Sequence, residues 1–146
     1  MAYRTIVVGT DGSDTARRAV ERAAELAAAD NARLVVTTAF ERHGDTPDDA
    51  IPSDVRWMLT DSNAAETHAR EGREAAHAAG VTDVVVQAVA GAPAEMLIET
   101  AETFSADLIV VGSVGLTASA HFLLGSVAST VLHHAPADVL VVHTAS

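Results

Sequence analysis

Two stretches of this 146-residue chain have residue types and spacings that could face a ligand, and the first of them could hold an anion. One is Gly112, two residues, Gly115, nine residues, then Gly125, Ser126 and Val127. The other is the run Thr10, Asp11, Gly12 and Ser13. Glycines let backbone N–H groups approach an anion with no Cβ in the way, and a helix N-terminus adds oriented donors with a partial positive charge. A phosphate group suits such a place. The same residues also have a plainer reading, in which Gly112 and Gly115 form turns, Gly125 starts a helix and Ser126 caps it. Asp11 likewise either meets a ligand or braces its own loop.

Other chemistries find less support. Cysteine is absent, which removes thiolate nucleophiles, disulfides and cysteine zinc sites. His133 and His134 resemble a metal pair by composition, but neighbours on a helix point about 100° apart, and cations late in a helix favour its dipole. His121 reads first as a solvated loop residue, and Trp57 and Met58 as packing or a subunit contact. No serine sits in the strained strand-to-helix turn of a hydrolase, and no ligand cluster suggests a metalloenzyme.

The elements that must position these residues alternate. Five short apolar runs, Arg4 to Val8, Leu34 to Phe40, Val84 to Val89, Leu108 to Val111 and Val139 to Val142, are rich in Val and Ile and lack a clean polar alternation. They predict strands buried on both faces of a parallel sheet. Ala16, Ala19, Val20, Ala23 and Ala27 mark the inner face of a first helix, capped by Ser13 or Asp14. Met58, Ser62, Ala65, Ala69, Gly72, Ala76 and Ala79 mark a second, ended by Gly80, whose small stripe predicts close approach to the sheet. Pro93 opens a third with Leu97, Ile98, Ala101 and Phe104 inward, and a fourth starts near Gly125 and stops before Pro136. Glu41 to Asp54 reads as a loop. The expected fold is a single doubly wound α/β domain over residues 1–146, Rossmann-like, with five parallel strands in the order 3-2-1-4-5 and helices on both faces. Ligands of such sheets bind beyond the carboxyl ends of the strands where the order reverses, so the loops after strands one and four should adjoin. A receiver domain shares this architecture, but it needs a carboxylate after strand three and a Lys after strand five. Gln87 to Ala90 occupy the first place, and the chain has no Lys.

All nine basic residues are Arg, against 20 Asp and Glu, for a formal net charge of −11. Nucleic acid and anionic membranes are thereby poor partners, since both draw affinity from basic patches. Acidity without lysine and with much alanine matches a protein from a salt-accumulating organism, a merely acidic protein being the other reading. No stretch reaches the roughly 18 apolar residues of a membrane span, and the N-terminus carries no signal pattern, so the expected location is cytoplasmic.

The runs ADLIVVGSVGL (Ala106 to Leu116), LLGSVAS (Leu123 to Ser129) and HAPADVLVVH (His134 to His143) resemble the C-terminal half of universal stress proteins. TIVVGTDGSDTARRAV (Thr5 to Val20) is similar to their first strand and loop, and the likeness is weakest between Arg42 and Gly80. Members of that family that bind ATP share the spacing of two glycines, nine residues and a glycine with Ser or Thr. The resemblance implies that Gly112 and Gly115 lie along ribose and phosphates, that Gly125, Ser126 and Val127 hold the phosphate chain, and that the loop Thr10 to Ser13 faces the nucleotide through Asp11. Ala39 matches the position whose backbone meets adenine; a larger aliphatic residue is usual there, so a looser base pocket is expected. Relatives commonly place a basic residue between the glycines or in the nine-residue loop, whereas Val114 and Leu116 to Leu124 contribute only His121. Backbone donors alone cannot neutralise a triphosphate on so acidic a chain, so ATP is expected to bind with Mg²⁺ or Mn²⁺.

The expected role is an ATP-binding stress protein, at most a slow ATP hydrolase or self-phosphorylating protein. The alternative is an interaction module in which the nucleotide is incidental. Val139 to Val142 would be an apolar edge strand, and relatives commonly dimerise through it, so a homodimer is expected.

Overall fold

The computed structural model describes residues 2–40, 62–113 and 126–143. Chain order runs β1 (Thr5–Gly9), α1 (Asp14–Asp30), β2 (Arg33–Phe40), α2 (Ser62–Ala78), β3 (Val84–Ala90), α3 (Pro93–Thr103), β4 (Leu108–Gly112), α4 (Ser126–His134) and β5 (Asp138–Val142). All pairings are parallel and the strand order is 3-2-1-4-5, as the alternation of elements predicts. The first strand starts one residue later than expected and runs on to Gly9, which keeps register with Thr37. The Arg4 N–H turns instead to the Asp107 carboxylate.

The missing polar alternation has its reason in two separate cores. Ile6, Val8, Leu34 and Val36 face α1 and α2, where Ala19, Ala23, Ala27 and Ala76 are fully buried. Val7, Val35 and Ile109 face the other way, against Met96, Leu97 and Ala101 of α3 and Ala128 and Val131 of α4. Central strands covered on both sides have no polar face to show.

Ser13 is the cap of α1, its Oγ accepting from the Ala16 N–H at 3.2 Å, and Asp14 is the first helical residue. Ala24 joins the buried face, while Ala16 is only half-buried. In α2, Ala65, Ala69, Gly72 and Ala76 are buried as expected. Ala79 is exposed because the helix ends at Ala78, ahead of the left-handed Gly80 at φ +101°. The buried face of α3 is turned from the expected one. Leu97 and Ala101 are inside, but Met96 and Thr100 are buried where Ile98 and Phe104 are only partly so. A polar network sets that rotation: the Gln87 amide donates to Thr37 Oγ1 at 3.3 Å and Thr100 Oγ1 at 3.0 Å, and the Thr37 hydroxyl donates to Met96 Sδ. Polar groups taken from water keep their hydrogen bonds, which outranks the apolar count on either face.

At the N-terminal edge of the sheet, Asp107 accepts from the Arg4 and Thr5 N–H groups, each at 3.0 Å to its nearer oxygen. The Tyr3 N–H donates to Asp30 and its phenol to Asp138. The expected loop Glu41 to Asp54, with Trp57 and Met58, lies outside the described residues. Among the described residues no helix is long and apolar enough to cross a membrane.

Candidate functional site

The strand order reverses at β1, which leads to β2 on one side and has β4 on the other. Ile6, Val7 and Val8 are in register with Leu108, Ile109 and Val110. Two parallel strands in register end side by side, so the structure brings the loop after β1 beside the end of β4.

The first loop is held largely by its own side chains. The Thr10 N–H donates to the Thr37 carbonyl at 3.0 Å, extending the ladder one step past Gly9. Thr10 Oγ1 then accepts from the Gly12 N–H at 3.1 Å. Asp11 Oδ1 accepts from the Ser13 N–H at 2.9 Å and from the Ser13 hydroxyl. One carboxylate oxygen of Asp11 therefore braces the turn. The side chain is exposed, and the other oxygen takes no partner among the described residues. Bracing and meeting a ligand are thus compatible here. Gly12 has φ +84°, a conformation side chains resist, and it turns the chain into α1.

Ala39 has its side chain against the α3 and α4 core, so only its backbone faces the space beyond β1. In a parallel ladder one residue sends both N–H and C=O to the same neighbour, and its successors alternate. The Thr37 carbonyl accepts from β1 and the Phe40 carbonyl from Gly91 on the β3 side. Ala39 must then point to the β1 side, where β1 has already turned away. Its N–H and C=O make no hydrogen bond among the described residues. An unpaired donor beside an unpaired acceptor on a sheet edge is a reading head for a ligand with a complementary pair.

Gly112 ends β4 in register with Val142, and the Ser113 N–H donates to the Val142 carbonyl at 2.8 Å. Ser126 opens α4, as expected of a helix starting after Gly125. Val127 is half-buried with its side chain in the α3 and α4 core, leaving its backbone as the group that can serve a ligand. Gly115, Gly125, Val114 and His121 lie outside the described residues, so the glycine motif is placed only at its two ends.

One residue at this edge was not flagged by its sequence pattern. His68 of α2 lies against Gly12: a Cβ on that glycine would stand 2.3 Å from both Cε1 and Nδ1 of the ring. The signal was present, since His68 is three residues after Ala65 and four before Gly72, on the buried stripe. Beneath the loop a groove of about 320 Å³ opens between α1 and α2. Among the described residues no three His, Asp or Glu side chains are placed to hold a metal ion. His133 is instead tied to the Ser129 carbonyl through Nδ1 at 2.7 Å.

A sequence model described as the universal stress protein family matches residues 2–143. A universal stress protein of Mycobacterium tuberculosis (strain H37Rv) is 43% identical over 144 residues, 98% of each chain. Among solved structures, a universal stress protein in complex with cAMP is 43% identical with a TM-score of 0.75, over 99% of this chain and 100% of that one. A universal stress protein from Archaeoglobus fulgidus in complex with dAMP has a TM-score of 0.70 over 97% and 98% of the two chains; at 24% identity it speaks for the fold alone.

Proposed function

The chain belongs to the universal stress protein family, and from that premise we propose that it binds an adenine nucleotide, ATP with Mg²⁺ or Mn²⁺, at the carboxyl edge of β1, β2 and β4. The observation that carries this reading is the N–H and C=O of Ala39, which have no partner among the described residues. Adenine presents an acceptor at N1 beside a donor at its amino group, which is the complement of that pair. Asp11, whose second oxygen has no partner among the described residues, meets a ribose hydroxyl. Gly112 and Gly115 lie along ribose and phosphates, Gly125, Ser126 and Val127 hold the phosphate chain, and Thr10, Gly12 and Ser13 shape the facing loop. The divalent ion is held by the phosphates, which it neutralises on a chain of net charge −11.

A cyclic nucleotide is the second reading, favoured by the cAMP complex of the 43% identical structure. Its single negative charge asks little of a phosphate loop with few cations. Calorimetry on ligand-stripped protein separates the two. ATP should bind at least about tenfold more tightly with magnesium than without, and cAMP with the same affinity in both. Equal ATP affinity without metal would sink the charge argument, and no binding of either nucleotide would remove the function.

The protein works in the cytoplasm as a homodimer joined through β5, whose Val139 to Val142 are half-exposed. Its acidity without lysine is read as adaptation to high salt, a reading that rests on composition. Nucleotide retained through purification speaks for a nucleotide-dependent role. A protein that purifies empty and binds none speaks for an interaction module of the same fold.

A further inference from the structure

The contact between His68 and Gly12 joins two elements that the sequence keeps far apart. It depends on how α2 is seated. Gly72 lets the helix lie directly on Val36. A crossover helix runs antiparallel to its strands, so one turn back from Gly72 corresponds to about two residues forward along β2. That step carries His68 to about the level of Thr38 along β2, and its ring lies against Gly12. A glycine is required on the other side as well, since the ring occupies the place of a Cβ.

The contact is made by shape. His68 Nδ1 and Thr38 Oγ1 are buried, and neither has a hydrogen-bond partner among the described residues. Among the described residues the ring fills the place beside Gly12, and it borders a groove lined by Thr10, Gly12, Ser13, Arg17, His68 and Gly72 among others. Beyond the one ladder bond from Thr10 to Thr37, the loop is braced by its own short side chains, and over a groove it needs a strut.

We propose that His68 is a positioning residue for the nucleotide, its ring holding the Gly12 turn at the height from which Asp11 meets the ligand. The inference rests on the nucleotide reading above, and it names a residue outside the glycine motif as part of the binding apparatus. Because the contact is steric, phenylalanine should replace histidine and alanine should not.

Calorimetry with cAMP and with magnesium ATP on full-length variants tests this. His68→Ala should weaken binding about tenfold, and His68→Phe should stay within about twofold of wild type, with a melting temperature equal or higher because an unpaired buried nitrogen is gone. Asp11→Ala should weaken the wild type yet change affinity less than about twofold in the His68→Ala background, since both act through one loop. The Gly12 and Ser13 amide resonances should move in His68→Ala. Wild-type affinity in His68→Ala, a His68→Phe protein as weak as His68→Ala, or additive effects with Asp11→Ala each overturn the proposal. If His68→Ala does not fold, His68→Asn takes its place with the same expected weakening. If the wild type binds no nucleotide, the function above falls, and the resonances still decide the strut: Gly12 and Ser13 unmoved in the variant overturn it.

Discussion

Gly72 lies against Val36 so closely that a Cβ on the glycine would stand 2.6 Å from the valine's Cγ1. Val36 is fully buried in β2 and β-branched, so it cannot swing aside. Gly72→Ala therefore sets two effects against each other. Helix propensity favours alanine by about 1 kcal/mol, while overpacking a tight contact costs about 1–3 kcal/mol. Overpacking should win, with a net loss of about 1 kcal/mol read from the urea midpoint. A more stable variant would show that α2 is seated more loosely than this contact implies.

Ala39→Pro isolates base recognition. Proline removes the one N–H that faces the empty side of β2, and the ladder to β3 uses its neighbours Thr38 and Phe40. Nucleotide affinity should fall about tenfold, the worth of one well-made hydrogen bond, with the circular dichroism spectrum unchanged. Hypoxanthine offers the opposite donor and acceptor order on that edge, so IMP should bind at least about tenfold more weakly than AMP. Equal affinities would exclude Ala39 as the base-reading position.

Ser13→Ala removes the cap of α1 and the hydroxyl that donates to Asp11 at once, while the backbone N–H at position 13 still donates. The cap alone is worth about 1 kcal/mol. Because the Ser13 hydroxyl also fixes the Asp11 carboxylate, nucleotide binding should weaken along with stability. Ser13→Thr should keep most of both, and a Ser13→Thr protein as impaired as Ser13→Ala would argue against the hydroxyl as the group responsible.

Tyr3 is the single tyrosine, so absorbance of tyrosinate reports on it alone. Its phenol is pushed above the ordinary tyrosine range, first by its hydrogen bond to Asp138, then by desolvation and by the carboxylates of Asp138, Asp107 and Asp30. A group whose pKa is raised in the folded state stabilises fully below its unfolded value, and that contribution is lost as pH climbs through the folded one. Alkaline titration should thus show tyrosinate forming later in folded than in urea-unfolded protein. Stability should decline in that same alkaline window, and Tyr3→Phe should remove the decline. Coincident titration curves in the two states would rule out the Asp138 contact in solution.

The melting temperature should rise with KCl from low salt toward about 2 M, where the Debye length is only about 2 Å and repulsion among the carboxylates is screened. A flat or falling curve would count against the high-salt reading of the composition.

The fold was legible because its signals are local and repeated: Val-rich runs, alanine stripes at helical spacing, and punctuation by Ser13, Gly80 and Pro93. What the sequence hid depends on neighbours distant along the chain. The rotation of α3 follows from Gln87 reaching Thr100, and no periodicity within Pro93 to Thr103 reveals a partner on β3. Ala79 looked inward because the helical phase was carried one residue beyond the helix end. At the site, Asp11 and the glycine spacing could be read directly, whereas the free backbone of Ala39 depends on where β1 stops. His68 stands in a stripe of small residues, and the glycine that receives its bulky polar ring lies far away along the chain, at Gly12.

The pairing of Ile6 with Leu108 has a consequence for how the chain is made. β1 is synthesised before the other four strands yet becomes the middle of the sheet, with β2 made next on one side and no strand on the other until β4 follows. During that interval Val7, and with it Val35, lacks the cover of α3 and α4. The nascent half-sheet presents an open edge and an apolar face together, the combination most prone to misassociate. A chain stopped after β3 should aggregate more readily than the 146-residue chain, and the latter should refold more slowly than helical proteins of its size, since its central strand waits for a partner about 100 residues away.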